Sequence, residues 1–323
     1  MKRFLNYIFL FTLPIIMVSY AIDVFISENL KKINEVACGE YSTWNDLYDG
    51  KVNSDIVVYG SSRAWCHISP KIIEDKLNLK SYNLGINGHN FWLENFRHTV
   101  LLENNAKPKL ILFSLDIFTL QKKKELYNSE QFLPYMLWNN PIRRVTESYV
   151  GFNTYDYYIP LVRYYSKMLV LQKTMSFSMG LLNNPVTRVK GYKGKDKSWN
   201  SDFDKAKKNR KKYEILVDSK TQLLFEQFLV ECKKKNIKLI FVYTPEYIEG
   251  QKFVKNREGI MSLYTNYSKK FQIPFYDYSK DIISFQKKYF YNASHLNKTG
   301  AELFTNKLMD TLKQSSIVKE LRH

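Results

Sequence analysis

Short apolar runs that close on a glycine or an acidic residue, separated by stretches of helical spacing, constrain this 323-residue chain more than any other feature. Residues 55–59 read Asp-Ile-Val-Val-Tyr and stop at Gly60, the pattern of a strand buried on both faces of a parallel sheet. Residues 109–115 and 237–243 repeat it, the first ending at Asp116 and the second at Thr244, Pro245 and Glu246. Weaker strands are expected at 79–84, leading into Gly85, Ile86, Asn87 and Gly88, and at 274–277. Between the strands, helices are predicted from Pro70 onward, over 90–103, 218–235 and 256–271, and from the capping residue Asn297 to about 313. Strands alternating with helices imply an α/β chain with a doubly wound parallel sheet. In such sheets ligands bind beyond the carboxyl ends of the strands. Ser62, Gly88, Asp116 and Glu246 all fall there, with His295 in the loop after the last strand.

The alternation dissolves over residues 119–212, a stretch rich in Tyr, Phe, Trp and Asn with only a helical hint at 161–171. It is too long for an inert loop in a compact domain. Its Tyr155, Tyr157, Tyr158, Tyr164 and Tyr165 can stack on sugar rings, bury themselves against the core, or lie on a membrane, where Tyr and Trp gather. The functional reading is a lid or an acceptor-binding subdomain. At the other end, Lys2 and Arg3 precede 19 uncharged residues, 4–22, before Asp23. A helix rising about 1.5 Å per residue carries them roughly across a 30 Å bilayer core. The basic residues favour keeping the N-terminus in the cytoplasm, so that the rest of the chain faces outward. Ser19, Tyr20 and Ala21 offer small residues for signal peptidase, but the length of the run and Pro14 near its middle favour an uncleaved, single-pass anchor. The expected division is an anchor at 1–30, a polar helical stretch at 27–36, and one α/β domain at 31–323, interrupted at about 119–212.

The charge balance, 49 − 31 = +18, suits acidic partners: anionic lipid head groups, teichoic or other acidic polysaccharide, or nucleic acid. No nucleic-acid motif accompanies it and the lysine runs are dispersed, so nucleic acid is not expected as a partner. Cys38, Cys66 and Cys232 make neither a disulfide framework nor a metal site, and no metal or organic cofactor is expected. His67 and His89 are expected as partly exposed loop residues able to line a pocket; His98 and His323 are assigned no role.

A serine hydroxyl becomes a nucleophile when a base takes its proton and donors receive the charge formed on the substrate oxygen. Ser62 follows a strand on a turn opened by Gly60, and His295 lies just before the closing helix; a fold that joins strand end to helix start brings the two together. The N–H groups of Ser62 and Gly88 are candidates for an oxyanion hole. Arg63 is expected either to contact an acyl or anionic glycan group or to form an ordinary surface salt bridge.

This set of residues resembles the SGNH (GDSL-like) hydrolase superfamily, particularly membrane-anchored members associated with polysaccharide O-acetylation and teichoic-acid D-alanylation. Gly60, Ser61 and Ser62 match its first block, with Ser62 as nucleophile. Asn83, Leu84, Gly85, Ile86, Asn87 and Gly88 are similar to its second, with Gly88 as the oxyanion glycine. Asn292, Ala293, Ser294, His295, Leu296 and Asn297, with Gly300 beyond, follow its last block except at the first position, where aspartate is usual. The asparagine of the third block is missing from Ser114, Leu115, Asp116, Ile117 and Phe118. The likeness covers roughly 54–118 and 213–313. It implies a flavodoxin-like doubly wound sheet of SGNH hydrolase type, and an extracytoplasmic O-acyltransferase or esterase anchored in a bacterial cytoplasmic membrane. It further implies an acyl donor, an envelope glycan acceptor and a multispanning acyl-exporting partner. Asn292 leaves three readings open: a Ser-His dyad, an acid supplied by Asp116, Asp277 or Asp281, or a non-catalytic glycan-binding or scaffold protein.

Overall fold

The computed structural model describes residues 1–88, 91–209 and 212–321. Helix α1 (Lys2–Leu30) carries Pro14 inside it, and its stretch Asn6–Leu30 is long and apolar enough to cross a membrane. Helix α2 (Glu40–Tyr48) follows, then strand β1 (Ile56–Gly60), helices α3 (Ser62–His67) and α4 (Pro70–Leu77), strand β2 (Ser81–Asn83), helix α5 (Phe91–Asn104) and strand β3 (Leu110–Leu115). The aromatic-rich stretch contains short helical turns and helix α6 (Met168–Ser178). Beyond it come helix α7 (Ser219–Lys234), strand β4 (Lys238–Tyr243), helix α8 (Arg257–Phe271) and strand β5 (Phe275–Asp277). A small ladder, β6 (Phe290–Asn292) and β7 (His295–Leu296), precedes helix α9 (Lys298–Leu312).

The chain divides into two compact units, one of Met1–Asn45 with Lys123–Thr187, the other of Asp46–Lys122 with Arg188–His323. The second unit holds the sheet. Its five strands run β2-β1-β3-β4-β5, every pairing parallel, which is the doubly wound, flavodoxin-like order. Every residue of β1 and β3 is buried, as strands covered by helices on both faces must be. On one face Ile56, Val58, Leu110, Leu112, Ile240 and Val242 pack against α4 and α9. On the other, Phe91 and Phe113 stack with ring centroids 6.0 Å apart, beside Phe225 and Phe228 of α7. Helix α9 starts where Asn297 accepts the Gly300 N–H at 3.0 Å, as its sequence predicts.

Two elements depart from expectation. A helix, α3, opens directly at Ser62, eight residues before the helix that Pro70 announces. His295 lies not in a loop but on β7, paired antiparallel with Asn292. Neither was legible, because six residues of helix and two of strand are too short to display a hydrophobic period. In the first unit, Tyr157 and Tyr164 are buried at 1% and 2% exposure, while Tyr155, Tyr158 and Tyr165 stand exposed at 65%, 43% and 84%.

Candidate active site

Ser62 owes its position to the turn that joins β1 to α3. Gly60 has φ +135°, and a Cβ there would lie 2.3 Å from the Ser114 carbonyl oxygen on β3, so only glycine lets the two strands approach at this point. Ser61 then caps α3: its Oγ accepts the Arg63 N–H at 3.0 Å and donates to Asp116 Oδ2 at 2.8 Å. Ser62 is the first helical residue, and helix geometry leaves its N–H without an intrahelical acceptor.

His295 is oriented by the β6–β7 ladder. Asn292 Oδ1 accepts three hydrogen bonds, from the N–H of Ser294 at 3.0 Å, the N–H of His295 at 2.9 Å and His295 Nδ1 at 2.9 Å. Backbone N–H groups only donate, so the amide must present its oxygen, and Nδ1 must carry the ring proton. Nε2 is thereby left with a lone pair, and it accepts the Ser62 hydroxyl at 2.8 Å across 233 residues of sequence. Tyr291 stacks on the imidazole, ring centroids 5.3 Å apart and 15° from parallel. The acids considered in place of Asn292 are occupied elsewhere. Asp116 is held by Ser61, Asp277 accepts the Ser279 N–H at 2.8 Å, and Asp281 accepts the Ile283 N–H and pairs with Lys307.

His67, expected as a partly exposed loop residue, is fully buried. Its Nε2 accepts the Leu296 N–H at 2.9 Å, so its proton is on Nδ1 and goes to Thr244 Oγ1, also at 2.9 Å. The ring thus ties α3 to β7 and to the end of β4. Burial, then the nearby Arg63 charge, hold its pKa well below the ordinary histidine value. Burial and Arg63 act on His295 too, and with Lys195 they outweigh Asp116 and push it down to about 4. Both imidazoles are neutral at pH 7.

Arg63 forms no surface salt bridge: it is 2% exposed, pairing with Glu246 at 3.3 Å and Asp116 at 3.7 Å and donating to the Thr244 carbonyl. Its guanidinium lies 4.5 Å from the Tyr243 ring centre, and Arg257 joins the cluster through Glu246 and the Tyr243 hydroxyl. Two guanidinium groups and two carboxylates leave the cluster near neutrality. Asp116 and Glu246 thus lie beyond the ends of β3 and β4, engaged with protein cations.

Gly88 follows β2 with φ +84°, and His89 lies outside the described residues. The exit of β2 is held against α3 by Asn83, whose Nδ2 donates to the carbonyls of Ala64 and Ile68 at 2.8 Å each, and against the end of β1 by the Ile86 N–H on the Gly60 carbonyl at 2.8 Å. Residues 188–200, part of the 119–212 stretch read from the sequence as a lid or acceptor-binding subdomain, also reach the site. The N–H of Lys193 donates to Trp65 O at 3.2 Å, Lys298 N–H to Lys195 O at 2.8 Å, and Asn200 N–H to Tyr291 O at 2.9 Å. Lys195 Nζ lies 4.5 Å from the Trp65 ring centre. No motif marks that segment; only tertiary hydrogen bonds bring it to the site. Among the described residues, no group of three or more His, Cys, Asp or Glu side chains is placed to hold a metal ion.

No family model matches the chain, and no curated protein matches it. Solved structures similar to it include a protein of Bacteroides fragilis described as an acylhydrolase, at 15% identity over 82% of this chain and 87% of that one, with a TM-score of 0.38. A Desulfitobacterium hafniense protein described as a lipolytic protein of the G-D-S-L family aligns at 10% identity over 80% of this chain and 99% of that one, TM-score 0.41. A GDSL-like lipase of Bacteroides thetaiotaomicron aligns at 12% identity over 79% and 87%, TM-score 0.36.

Proposed function

We propose that this chain is a membrane-anchored serine esterase or O-acyltransferase of SGNH type acting on a cell-envelope polysaccharide outside the cytoplasm. The observation that carries the reading is the line Ser62 Oγ, His295 Nε2, His295 Nδ1, Asn292 Oδ1, with both hydrogen bonds at 2.8–2.9 Å, at the carboxyl edge of a parallel sheet. Ser62 Oγ attacks the acyl carbonyl carbon while its proton passes to His295 Nε2, and the carbonyl electron pair moves onto oxygen. The N–H groups of Ser62 and Gly88 receive that oxyanion. Collapse re-forms the carbonyl and breaks the bond to the leaving oxygen, which takes the proton from His295. The acyl group on Ser62 then passes to a sugar hydroxyl or to water, His295 again relaying the proton. The apolar helix α1 supports membrane attachment, and the net charge of +18 supports an acidic envelope partner. The resemblance to envelope O-acylation systems adds a multispanning acyl-exporting protein as partner where the reaction is transfer.

Asn292 favours a second reading, a glycan-binding scaffold without catalysis, since a neutral amide gives the imidazolium no counter-charge. Labelling the detergent-solubilised full chain with a fluorophosphonate probe separates the two. The catalytic reading expects Ser62 to be labelled in the wild type, with label lost in Ser62→Ala and sharply reduced in His295→Ala. A folded wild type that takes no label would establish the scaffold.

A further inference from the structure

The compact unit built on α1 contains a cavity of about 800 Å³, within the size range of small-molecule sites. Two of its walls, Ile22 and Ile26, belong to α1 itself; Leu133, Met136, Leu161 and Leu171 face them. At about 1.5 Å per residue, Ile22 lies roughly 27 Å and Ile26 roughly 33 Å along the helix from Phe4. A bilayer core about 30 Å thick therefore ends between them. The cavity straddles the boundary between lipid tails and head groups.

Three further observations place this unit in that boundary. Asp23, the one acid between Phe4 and Ser27, is 1% exposed and fully answered. Arg163 donates to both its oxygens at 2.7 and 2.6 Å, and the Leu161 N–H adds a third bond at 2.7 Å. A carboxylate at membrane depth needs such a partner. Next, Trp138, 57% exposed, stacks on Tyr20 of α1 with ring centroids 5.1 Å apart, the location where aromatic belts form. Finally, Tyr165, Met168 and Leu169, at the start of α6, are 84%, 71% and 75% exposed, an apolar surface that water does not favour. Tyr165 and Lys167 line the same cavity and bring a hydroxyl and an ammonium to its wall.

We infer that this cavity binds an acyl chain of a membrane lipid, entering from the bilayer that holds α1, with the lipid head group toward Tyr165 and Lys167. The inference rests on the membrane-anchored part of the proposed function and is independent of Ser62 chemistry. The test uses the full chain in nanodiscs of phosphatidylcholine and phosphatidylglycerol doped with a phospholipid carrying a diazirine on its acyl chain. After photolysis, labelled peptides are mapped. Label is expected both on α1 and on the interior residues Leu133 and Met136. In Leu171→Trp, and in the milder Leu171→Phe should the first fail to fold, the interior label is expected to fall while that on α1 persists. Label confined to α1 in the wild type overturns the lipid site and leaves the anchor standing. A chain with no label even on α1 overturns the anchor and the lipid site together. Interior label unchanged in a folded Leu171 variant also overturns the site, because the lipid would then be reaching those residues by another route.

Discussion

Replacing Asn292 by aspartate puts a negative charge where the His295 Nδ1 proton now meets a neutral oxygen at 2.9 Å. The geometry is expected to survive, because a carboxylate oxygen accepts the same three hydrogen bonds that Asn292 Oδ1 accepts now. In a serine protease the triad Asp→Asn change costs about 10⁴ in rate because the amide imposes the wrong tautomer on the histidine. Here the tautomer is already correct, so the gain comes from charge alone. A carboxylate about 4 Å from the imidazolium centre, at an effective dielectric constant of about 20, favours it by roughly 4 kcal/mol. Desolvating that carboxylate takes back part of the gain, leaving roughly 1.5–3 kcal/mol, or about ten- to hundredfold in rate. The same energy raises the His295 pKa from about 4 to between about 5 and 6. Activity requires the neutral ring and is lost as pH falls through that value, so the variant should react faster at pH 8 yet lose rate at a higher pH than the wild type. The assay is the second-order rate of fluorophosphonate labelling between pH 4 and 9, with Ser62→Ala as background. A variant that labels no faster at pH 8, with its acid limb where the wild type has it, refutes the reasoning that a carboxylate at position 292 raises the proton affinity of His295.

Three further outcomes are expected. Arg63→Met leaves Asp116 and Glu246 buried with one cation fewer, costing about 3–5 kcal/mol in denaturant unfolding; adding Asp116→Asn should recover part of it, and no loss would show the cluster to be hydrated. His67→Ala strands the Leu296 N–H and the Thr244 hydroxyl, costing about 2–4 kcal/mol and slowing Ser62 labelling by shifting β7; a variant as stable and as reactive as the wild type would contradict this. His67, His98 and His295 all have pKa values lowered first by burial, so the unfolded chain binds more protons below about pH 6.5. Stability is therefore present above that pH and drains away as pH falls toward about 4, with His98 alone contributing roughly 3 kcal/mol by then. Unfolding free energy that stays flat from pH 7 to pH 4.5 would show the rings to be solvated.

Much of this molecule follows from local chemistry that the amino-acid sequence states outright. The runs at 55–59, 109–115 and 237–243 are strands because only burial on both faces suits such continuous apolar stretches, and α1 is apolar for the length of a bilayer. Ser62 and His295 stood out from a strand end and a helix start, and Asn292 from the family resemblance alone; the parallel sheet sets Ser62 at its edge, and the separate β6–β7 ladder carries His295 and Asn292 to it. What lay beyond the sequence depends on partners distant along the chain. The histidine at 67 reads as a loop residue until Leu296 and Thr244 close around it, and Arg63 reads as surface until Asp116, Glu246 and Tyr243 enclose it. Lys195 carries no motif at all; hydrogen bonds to α9 and α3 bring its segment to the site. Periodicity and capping record what a residue does to its neighbours in sequence. Burial, proton affinity and the lining of a cavity are set by which segments meet in space, and the tertiary structure alone decides that.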